Sequence, residues 1–246
     1  MCKTPRGGPY PGAMPRDTLT REQIVTAATA LLDAEGLDGL NMRALGQRLG
    51  SAATAVYWHV GSKDNLIALA ADQAWHEIAR PDPAAAGWRA AATVMATGLH
   101  AMLTRHTWLV QAFGTQVLYG PGKARHDDHL LAIYEAAGFS GTQADRAAAT
   151  VFTYVLGNAL GAAAAASLTR KVGRDGGDAD ELMRASMAEA SEIAARFPRL
   201  RARFGTAAAA YGATPDNGFE FGLNAILDGL EAQLTADRAA GAPVLP

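Results

Sequence analysis

The chain has 246 residues, of which 49% are hydrophobic and 19% are charged, and 55 are alanine. Because alanine favours helices and loses almost no side-chain entropy in them, this composition excludes a β-rich fold and predicts an all-α protein. The net charge is −2, so any binding of a polyanion must come from a local basic patch.

Both ends of the chain are predicted to lack regular structure. Residues 1–18 are rich in proline and glycine and have no apolar signal-peptide core, so we expect a disordered leader. A flexible tail is expected over 237–246. Cys2 is the only cysteine, which excludes an intrachain disulfide and favours a reducing, cytoplasmic location.

Four short helices are predicted between residues 19 and 80. Thr20 and Gln23 form a capping box at the start of the first, and Gly36 ends it. Asn41 can cap the second, and a third runs from about 52 to 60. Ser62 can cap the fourth, which we expect over 63–80 as a connection to the rest of the chain.

The second and third predicted helices form a helix-turn-helix candidate between residues 41 and 63. This segment contains three basic side chains and no acidic one, although the whole chain is slightly acidic. In such a motif the second helix enters the major groove of DNA. Val56 and Val60 are expected to face the core. Tyr57 and His59 could then reach phosphates, and Thr54 could approach base edges. For Trp58 we expect a place in the core.

Residues 19–75 resemble the DNA-binding domain of the TetR family of transcriptional repressors, close to its tetracycline-repressor branch. The resemblance rests on GLDGLNMRALGQRLG at 36–50 and YWHVGSKDNL at 57–66. It implies a helix-turn-helix domain over 19–65 followed by a regulatory and dimerisation domain over 81–236. It also implies a homodimer that binds a palindromic operator and is released by a small-molecule inducer.

The resemblance also implies roles for individual residues. Arg43 matches a residue that reads guanine or contacts phosphate, and Lys63 matches a phosphate clamp. Ala53 and Ala55 stand where the tetracycline repressor has polar base readers, so they could contact only thymine methyl groups. The full set of expected DNA contacts is Arg43, Ser51, Ala53, Thr54, Ala55, Tyr57, His59 and Lys63.

The C-terminal region is expected to enclose the inducer. Helices are predicted near 84–104, 107–118, 124–138, 142–170, 179–196, 197–204 and 217–236. Polar His100 and Asn158 among apolar neighbours could contact a ligand, although core packing is the simpler role for each residue. The candidate pocket residues are Met95, His100, Trp108, Phe113, Phe152 and Asn158, with Met102, Tyr119 and Tyr154 as further candidates.

Two helices are expected to form the subunit interface. Small residues recur every four positions on the helix predicted over 142–170, which permits close helix approach. The segment 219–234 looks like the terminal dimerisation helix of the family, which pairs subunits through a four-helix bundle. The predicted interface residues are Gly157, Gly161, Ala165, Phe219, Leu223, Leu227 and Leu230. The alternative is that the apolar stripe of 219–234 packs only within its own chain.

Other functions find less support in the sequence. Residues 147–169 carry no charge and are long enough to cross a bilayer, but their alanine content favours a buried helix of a non-membrane protein. His126 and His129 with Asp127 and Asp128 could ligate a metal, but a solvated helix start explains them equally, and we predict no metal. No nucleophile elbow, phosphate loop or zinc-protease motif occurs, so we predict no enzyme and no cofactor. The remaining alternative is a DNA-targeted interaction protein whose helical half binds another protein.

Overall fold

The computed structural model of the protein describes residues 19–203 and 215–241, which form helices joined by turns. This architecture confirms the all-α prediction. The predicted leader and Cys2, most of the loop near 205–216, and residues 242–246 lie outside the described residues. The N-terminal helices are α1 (Arg21–Gly39), α2 (Met42–Arg48), α3 (Ala53–Val60) and α4 (Lys63–Ala74).

The predicted caps of these helices are present. The backbone N–H of Gln23 donates to the Thr20 hydroxyl at 3.2 Å, and the Thr20 N–H donates to the Gln23 side chain at 2.9 Å. Asn41 accepts from the N–H of Arg43, and Ser62 accepts from the N–H of Asn65. These side chains satisfy amides that a helix leaves without partners at its first turn.

The connecting helix is shorter than predicted. Helix α4 ends at Ala74 instead of reaching residue 80, and a 3₁₀ turn follows over Trp75–Glu77. Trp75 and Ile78 are both buried, so the chain bends at this point to place their side chains in the core. The predicted helix 63–80 is therefore wrong at its C-terminal end.

The C-terminal helices differ from the prediction mainly at their ends. The predicted first helix is split at Gly87, the second ends at Phe113, the fourth continues to Arg174, and the last extends through the expected tail to Gly241. They are α5 (Pro83–Ala86), α6 (Trp88–Arg105), α7 (Trp108–Phe113), α8 (Pro121–Ala137), α9 (Thr142–Arg174), α10 (Ala179–Ala194), α11 (Pro198–Arg201) and α12 (Pro215–Gly241).

Helices α6, α8 and α9 pack against one another and form the centre of this region. Helix α4 lies against α1 on one side and α8 on the other, so it belongs to both halves of the molecule. A continuous core of buried side chains runs from α1 through α4 into α6 and α8. A displacement of α4 would therefore be felt in both halves, since close-packed interiors transmit strain.

Candidate nucleic-acid interface and ligand cavity

Helix α3 is held close to α2 by a glycine. A Cβ atom on Gly46 would lie 2.9 Å from the carbonyl oxygen of Ser51 and 3.0 Å from the backbone nitrogen of Ala53. Both neighbours are backbone atoms, so neither could move aside easily. Val56 and Val60 are buried on the inner face of α3 as expected. The opposite face of α3 is therefore presented outward.

Four of the predicted DNA contacts border one open groove. Arg43, Ala53, Tyr57 and Lys63 line it. The ammonium group of Lys63 donates to the carbonyl oxygen of Leu37 at 3.1 Å, which holds the side chain beside the C-terminal end of α1. The groove thus combines two cations, a phenol and a small side chain with one carboxylate, that of Asp38, and its cations and phenol are suited to phosphate contacts.

The other predicted DNA contacts lie around this groove. Thr54 is exposed on the outer face of α3, while Ala55 and His59 are half-buried. Ser51 borders a different groove, between α1 and the turn after α2. The core role expected for Trp58 is wrong, since its side chain is 82% exposed. Val56 and Val60 occupy the inward positions, which leaves Trp58 on the outer face.

Two residues that position α3 were missed by the sequence reasoning. The guanidinium of Arg21, on the first turn of α1, donates to the backbone carbonyl of His59 at 3.1 and 3.2 Å. The side-chain amide of Asn65 donates to the carbonyl of Val60 at 2.8 Å. Both satisfy carbonyls at the C-terminal end of α3. The contact between Arg21 and His59 spans a sequence separation that no local pattern reveals.

A buried histidine joins the two halves of the molecule. His106 Nδ1 lies 2.7 Å from Asp33 Oδ1 on α1, and His106 Nε2 lies 2.9 Å from Glu77 Oε1 in the 3₁₀ turn. Burial lowers the pKa of His106, but its hydrogen bonds to the two carboxylates outweigh that effect and raise the pKa above its ordinary value. Asp33 also accepts from the indole N–H of Trp108 at 2.8 Å.

Helix α4 is also bound to the start of α8. Asp72 Oδ1 accepts from the backbone N–H groups of Gly122 at 2.8 Å and Lys123 at 3.2 Å. These amides belong to the first turn of α8, where the helix dipole favours a carboxylate. The sequence gives one signal for this role, an isolated acid in the apolar part of α4.

The six candidate pocket residues do not share one site. Met95 and Trp108 are buried in the core. His100 stacks on Phe219 with ring centroids 4.2 Å apart. Asn158 is exposed and its amide donates to the carbonyl of Tyr154 at 2.9 Å, so it is not a polar group enclosed among apolar neighbours.

Phe113 and Phe152 do lie together, beside Trp75. The ring centroid of Phe113 lies 6.1 Å from that of Phe152 and 6.3 Å from that of Trp75. Phe152 lines a cavity of about 370 Å³ between α8 and α9, which we call the α8–α9 cavity. The residues that line it are Tyr119, Lys123, Asp127, Leu130, Leu131, Asp145, Ala148, Ala149 and Phe152.

Comparison with known proteins decides the family. Residues 24–70 match the model of bacterial regulatory proteins of the tetR family, and residues 80–234 match the model of the tetracyclin repressor-like C-terminal domain. The chain belongs to the TetR family. Members of this family are ligand-responsive, DNA-binding transcriptional regulators, so the outward surface of α3 agrees with the family assignment.

Relatives of this TetR-family chain include named regulators. It is 31% identical over 239 residues to the HTH-type transcriptional repressor DrrR1 of Streptomyces coeruleorubidus, covering 96% of this chain and 86% of DrrR1. An HTH-type transcriptional regulator of Saccharopolyspora erythraea is 36% identical over 140 residues, which are 57% of this chain and 59% of that relative.

Solved structures show the same architecture. The crystal structure of the Streptomyces coelicolor TetR-family protein ActR in complex with actinorhodin has a TM-score of 0.71 and 27% sequence identity. The similarity covers 88% of this chain and 97% of ActR. A family member of this shape thus forms a complex with a small molecule.

The predicted dimer interface is wrong for the residues of α12. Phe219, Leu223, Leu227 and Leu230 are buried within their own subunit, where α12 packs against α6 and α9. The apolar stripe faces inward because it completes the core of the chain, as the alternative interpretation of the sequence had it. The outward side of α12 instead carries Phe221, whose side chain is 78% exposed.

The predicted interface residues of α9, which are Gly157, Gly161 and Ala165, are all exposed. A Cβ atom added to Gly157 or Gly161 would meet, beyond the adjacent backbone of α9 itself, no described atom within 4 Å, and Ala165 lies further along the same helix. A groove of about 670 Å³ runs between α9 and α12, lined by Arg146 and Thr150 from one helix and Gly229 from the other, among others. The two helices thus present one continuous outer surface.

Helix α9 is the one helix in the described part of the chain that is long and apolar enough to cross a membrane. Only 22% of its most apolar window is buried within the subunit, so the expectation of a buried helix is wrong for a single chain. One face, which includes Val151 and Val155, packs into the core, and the face with the glycines is open.

The two histidines of residues 126–129 have different neighbours. His126 packs against Trp75 with ring centroids 4.8 Å apart, and His129 Nε2 lies 2.9 Å from the carbonyl of Pro81. Across residues 19–203 and 215–241, no group of three or more metal-ligating side chains occurs.

Proposed function

We propose that this TetR-family regulator represses transcription as a homodimer bound to a palindromic operator and that a small molecule releases it. The observation that carries the proposal is the groove beside α3, where Arg43, Ala53, Tyr57 and Lys63 meet. In this proposal Lys63 contacts phosphate and Arg43 contacts phosphate or guanine. Thr54 and Trp58 on the outer face of α3 extend the contact surface along the major groove.

The proposed dimer uses the outer surface of α9 and α12. Gly157 and Gly161 allow a second copy of α9 to approach closely, and Leu160 and Phe221 provide exposed apolar area beside them. Two helices from each subunit would form a four-helix bundle. Pairing also places two recognition helices on two half-sites, which a short helix needs for adequate affinity.

The proposed inducer site is the α8–α9 cavity. Helix α4 connects the region of this cavity with the DNA groove. Its C-terminal end contacts α8 through Asp72, while its N-terminal residue Lys63 lines the DNA groove. A ligand that binds better to the conformation in which the recognition helices are wrongly spaced would shift the population away from DNA. We further propose a cytoplasmic location, no catalytic activity and no cofactor besides the inducer.

The proposal is tested with the full-length chain and duplex DNA from the region upstream of its own gene. Fluorescence anisotropy should show binding that saturates at two chains per palindromic site. A screen of small molecules by thermal shift should yield a compound that raises the melting temperature and lowers DNA affinity. DNA binding that no stabilising compound weakens would favour the alternative of a DNA-targeted protein-binding module.

A further inference from the structure

The side-chain ammonium group of Lys123 lies at the α8–α9 cavity. Lys123 Nζ lies 5.1 Å from the ring centroid of Trp75, 5.2 Å from that of Phe152 and 5.8 Å from that of Tyr119. Both carboxylate oxygens of Asp127 lie 2.6 Å from the same nitrogen. Three rings and a carboxylate around one cation form the kind of aromatic cage that proteins use to bind organic ammonium ions.

This lysine is unusually enclosed for its type. Its side chain is only 15% exposed, whereas lysine side chains usually extend into solvent. Tyr119 is 65% exposed and forms the outer rim of the cage, and Trp75 forms its buried floor. The cage is thus open toward solvent on one side and is occupied by the ammonium group of Lys123.

The charges of the cavity indicate which ligand would replace that group. The basic and acidic side chains that line the cavity are those of Lys123, Asp127 and Asp145. If the side chain of Lys123 rotates toward solvent, two carboxylates and three aromatic rings remain around the vacated position. That environment attracts cations and repels anions. The apolar part of the lining, from Leu130, Leu131 and Ala148, would accommodate the rest of a ligand.

We propose that the cage binds the ammonium group of an organic cation with a flat apolar body, and that Lys123 is an internal competitor for this position. This inference rests on the proposed small-molecule regulation and assigns the chemical class of the ligand. The competitor keeps affinity for simple cations low, so only a ligand that also fills the apolar part of the cavity displaces it.

Displacement of Lys123 would act directly on the connection to α4. The backbone N–H of Lys123 donates to Asp72, and its side chain covers Trp75, which directly follows α4. A ligand ammonium in the cage takes over the contact with Trp75, while Lys123 must reorient at the residue whose backbone N–H binds Asp72. The two states of Lys123 therefore hold the end of α4 differently, which is what a ligand needs in order to bias DNA binding.

The test uses three probes of one shape on the full-length protein: 2-phenylethylamine as the cation, 2-phenylethanol as its neutral counterpart and phenylacetate as the anion. Dissociation constants are measured by tryptophan fluorescence and by calorimetry for the wild type, Lys123→Gln and Lys123→Arg. Lys171→Gln, on the exposed end of α9, is the matched control. Circular dichroism melting checks that each variant is folded.

We expect Lys123→Gln to bind 2-phenylethylamine about fivefold to tenfold more tightly than the wild type, in line with the strength of a partly desolvated cation–π contact. Lys123→Arg and Lys171→Gln should stay at the wild-type value. Adding Asp127→Asn to Lys123→Gln should reverse the gain. The neutral probe should bind more weakly than the cation in Lys123→Gln.

Two results would overturn the proposal. Tighter binding of phenylacetate to the wild type, abolished in Lys123→Gln, would show that Lys123 pairs with an anionic ligand. The absence of any difference between wild type and Lys123→Gln for the cation would show that Lys123 is no competitor. Either result leaves the release of DNA by a small molecule to be judged separately, because the DNA-binding titration and compound screen do not depend on these probes.

Discussion

Helices α3 and α12, near opposite ends of the chain, each bury one face in the subunit and expose an aromatic side chain on the other. In α3, Val56 faces the core while Trp58 is 82% exposed. In α12, Leu227 is fully buried while Phe221 is 78% exposed. In both helices the regular apolar stripe packs into the core of the subunit. The proposed partner, DNA for one helix and a second copy for the other, meets the residues that the stripe leaves outside.

The largest expected effect comes from filling the open face of α9. Gly157→Leu combined with Gly161→Leu adds bulk where a partner helix would approach, so we expect monomers by light scattering and a loss of DNA affinity of about a hundredfold. Circular dichroism should remain unchanged, since either Cβ position has only the adjacent backbone of α9 itself nearby among the described residues. Gly173→Leu, on the same helix, is the control. A double variant that stays dimeric contradicts the assignment of α9.

The next effect concerns the histidine that joins the two halves. His106→Gln should cost about 2–3 kcal/mol of unfolding free energy at pH 6, because it removes a buried cation from between Asp33 and Glu77. The folded-state pKa of His106 is raised, so its stabilisation is fully present below the unfolded pKa and is lost as pH rises through the folded pKa.

Chemical denaturation of both proteins from pH 5.5 to 9 measures this effect, a range of roughly one unit below to more than two above the ordinary histidine pKa. The difference in unfolding free energy between wild type and His106→Gln should shrink as pH rises. Asp33→Asn removes one of the two carboxylates. The difference in unfolding free energy between Asp33→Asn and His106→Gln should therefore change less with pH than the difference between the wild type and His106→Gln. A difference that stays constant over this range would mean that the protonation of His106 does not stabilise the fold.

The packing of α2 against α3 provides a third test. Gly46→Ala should destabilise the protein by about 1–3 kcal/mol, because its Cβ would press on backbone atoms of the turn and of α3. Gly173→Ala is the matched change in an open helical position and should be neutral or slightly stabilising. Denaturant unfolding monitored by circular dichroism compares them. Equal stability of the two variants would argue against a close approach at Gly46.

A smaller effect is expected at the edge of the DNA groove. Lys63→Ala should weaken binding by about tenfold on every sequence and reduce the slope of log affinity against log salt by about two, because one phosphate is no longer neutralised in each of the two half-sites that the dimer occupies. Lys171→Ala should leave both quantities unchanged. Anisotropy titrations at several salt concentrations measure them. An unaltered slope would mean that Lys63 contacts no phosphate and that its role is limited to the hydrogen bond with the carbonyl of Leu37.

The smallest effect tests the exposed face of α3. Trp58→Ala should lower DNA affinity by about threefold to fivefold and change the unfolding free energy by less than about 0.5 kcal/mol, as for other exposed positions. A loss of stability without a loss of DNA affinity would return Trp58 to the core role that the sequence suggested. Anisotropy and denaturant unfolding on the same preparation separate these outcomes.

Local signals explain what was predictable. The caps at Thr20, Asn41 and Ser62 depend on side chains that bond to amides two or three residues away, so their patterns are visible in the chain. Four of the residues that line the groove beside α3 were among the expected DNA contacts, because the helix-turn-helix spacing and its basic charge lie within the short segment 41–63. Such features need no knowledge of distant contacts.

The links between the halves were not predictable in this way. His106 meets Asp33 across 73 residues, and Asp72 meets Gly122 across 50. The aromatic cage combines Trp75, Lys123 and Phe152 from three separate elements. In the sequence, each of these residues taken alone is explained by core packing or by solvent exposure. Their roles in linking the elements become visible only when the fold brings them together.

The sequence by itself determined the all-α fold and the inward valines of the recognition helix, because helix propensity, capping and local charge act over a few residues. Its motifs at 36–50 and 57–66 carried the resemblance to the family. The tertiary structure decided which side of each apolar helix is covered by its own chain. It buried Leu223 and Leu227, left Gly157 and Gly161 open, and enclosed Lys123. Hydrophobic periodicity fixes that a stripe must be buried, but it does not say against what, and burial is settled only when all the elements pack together.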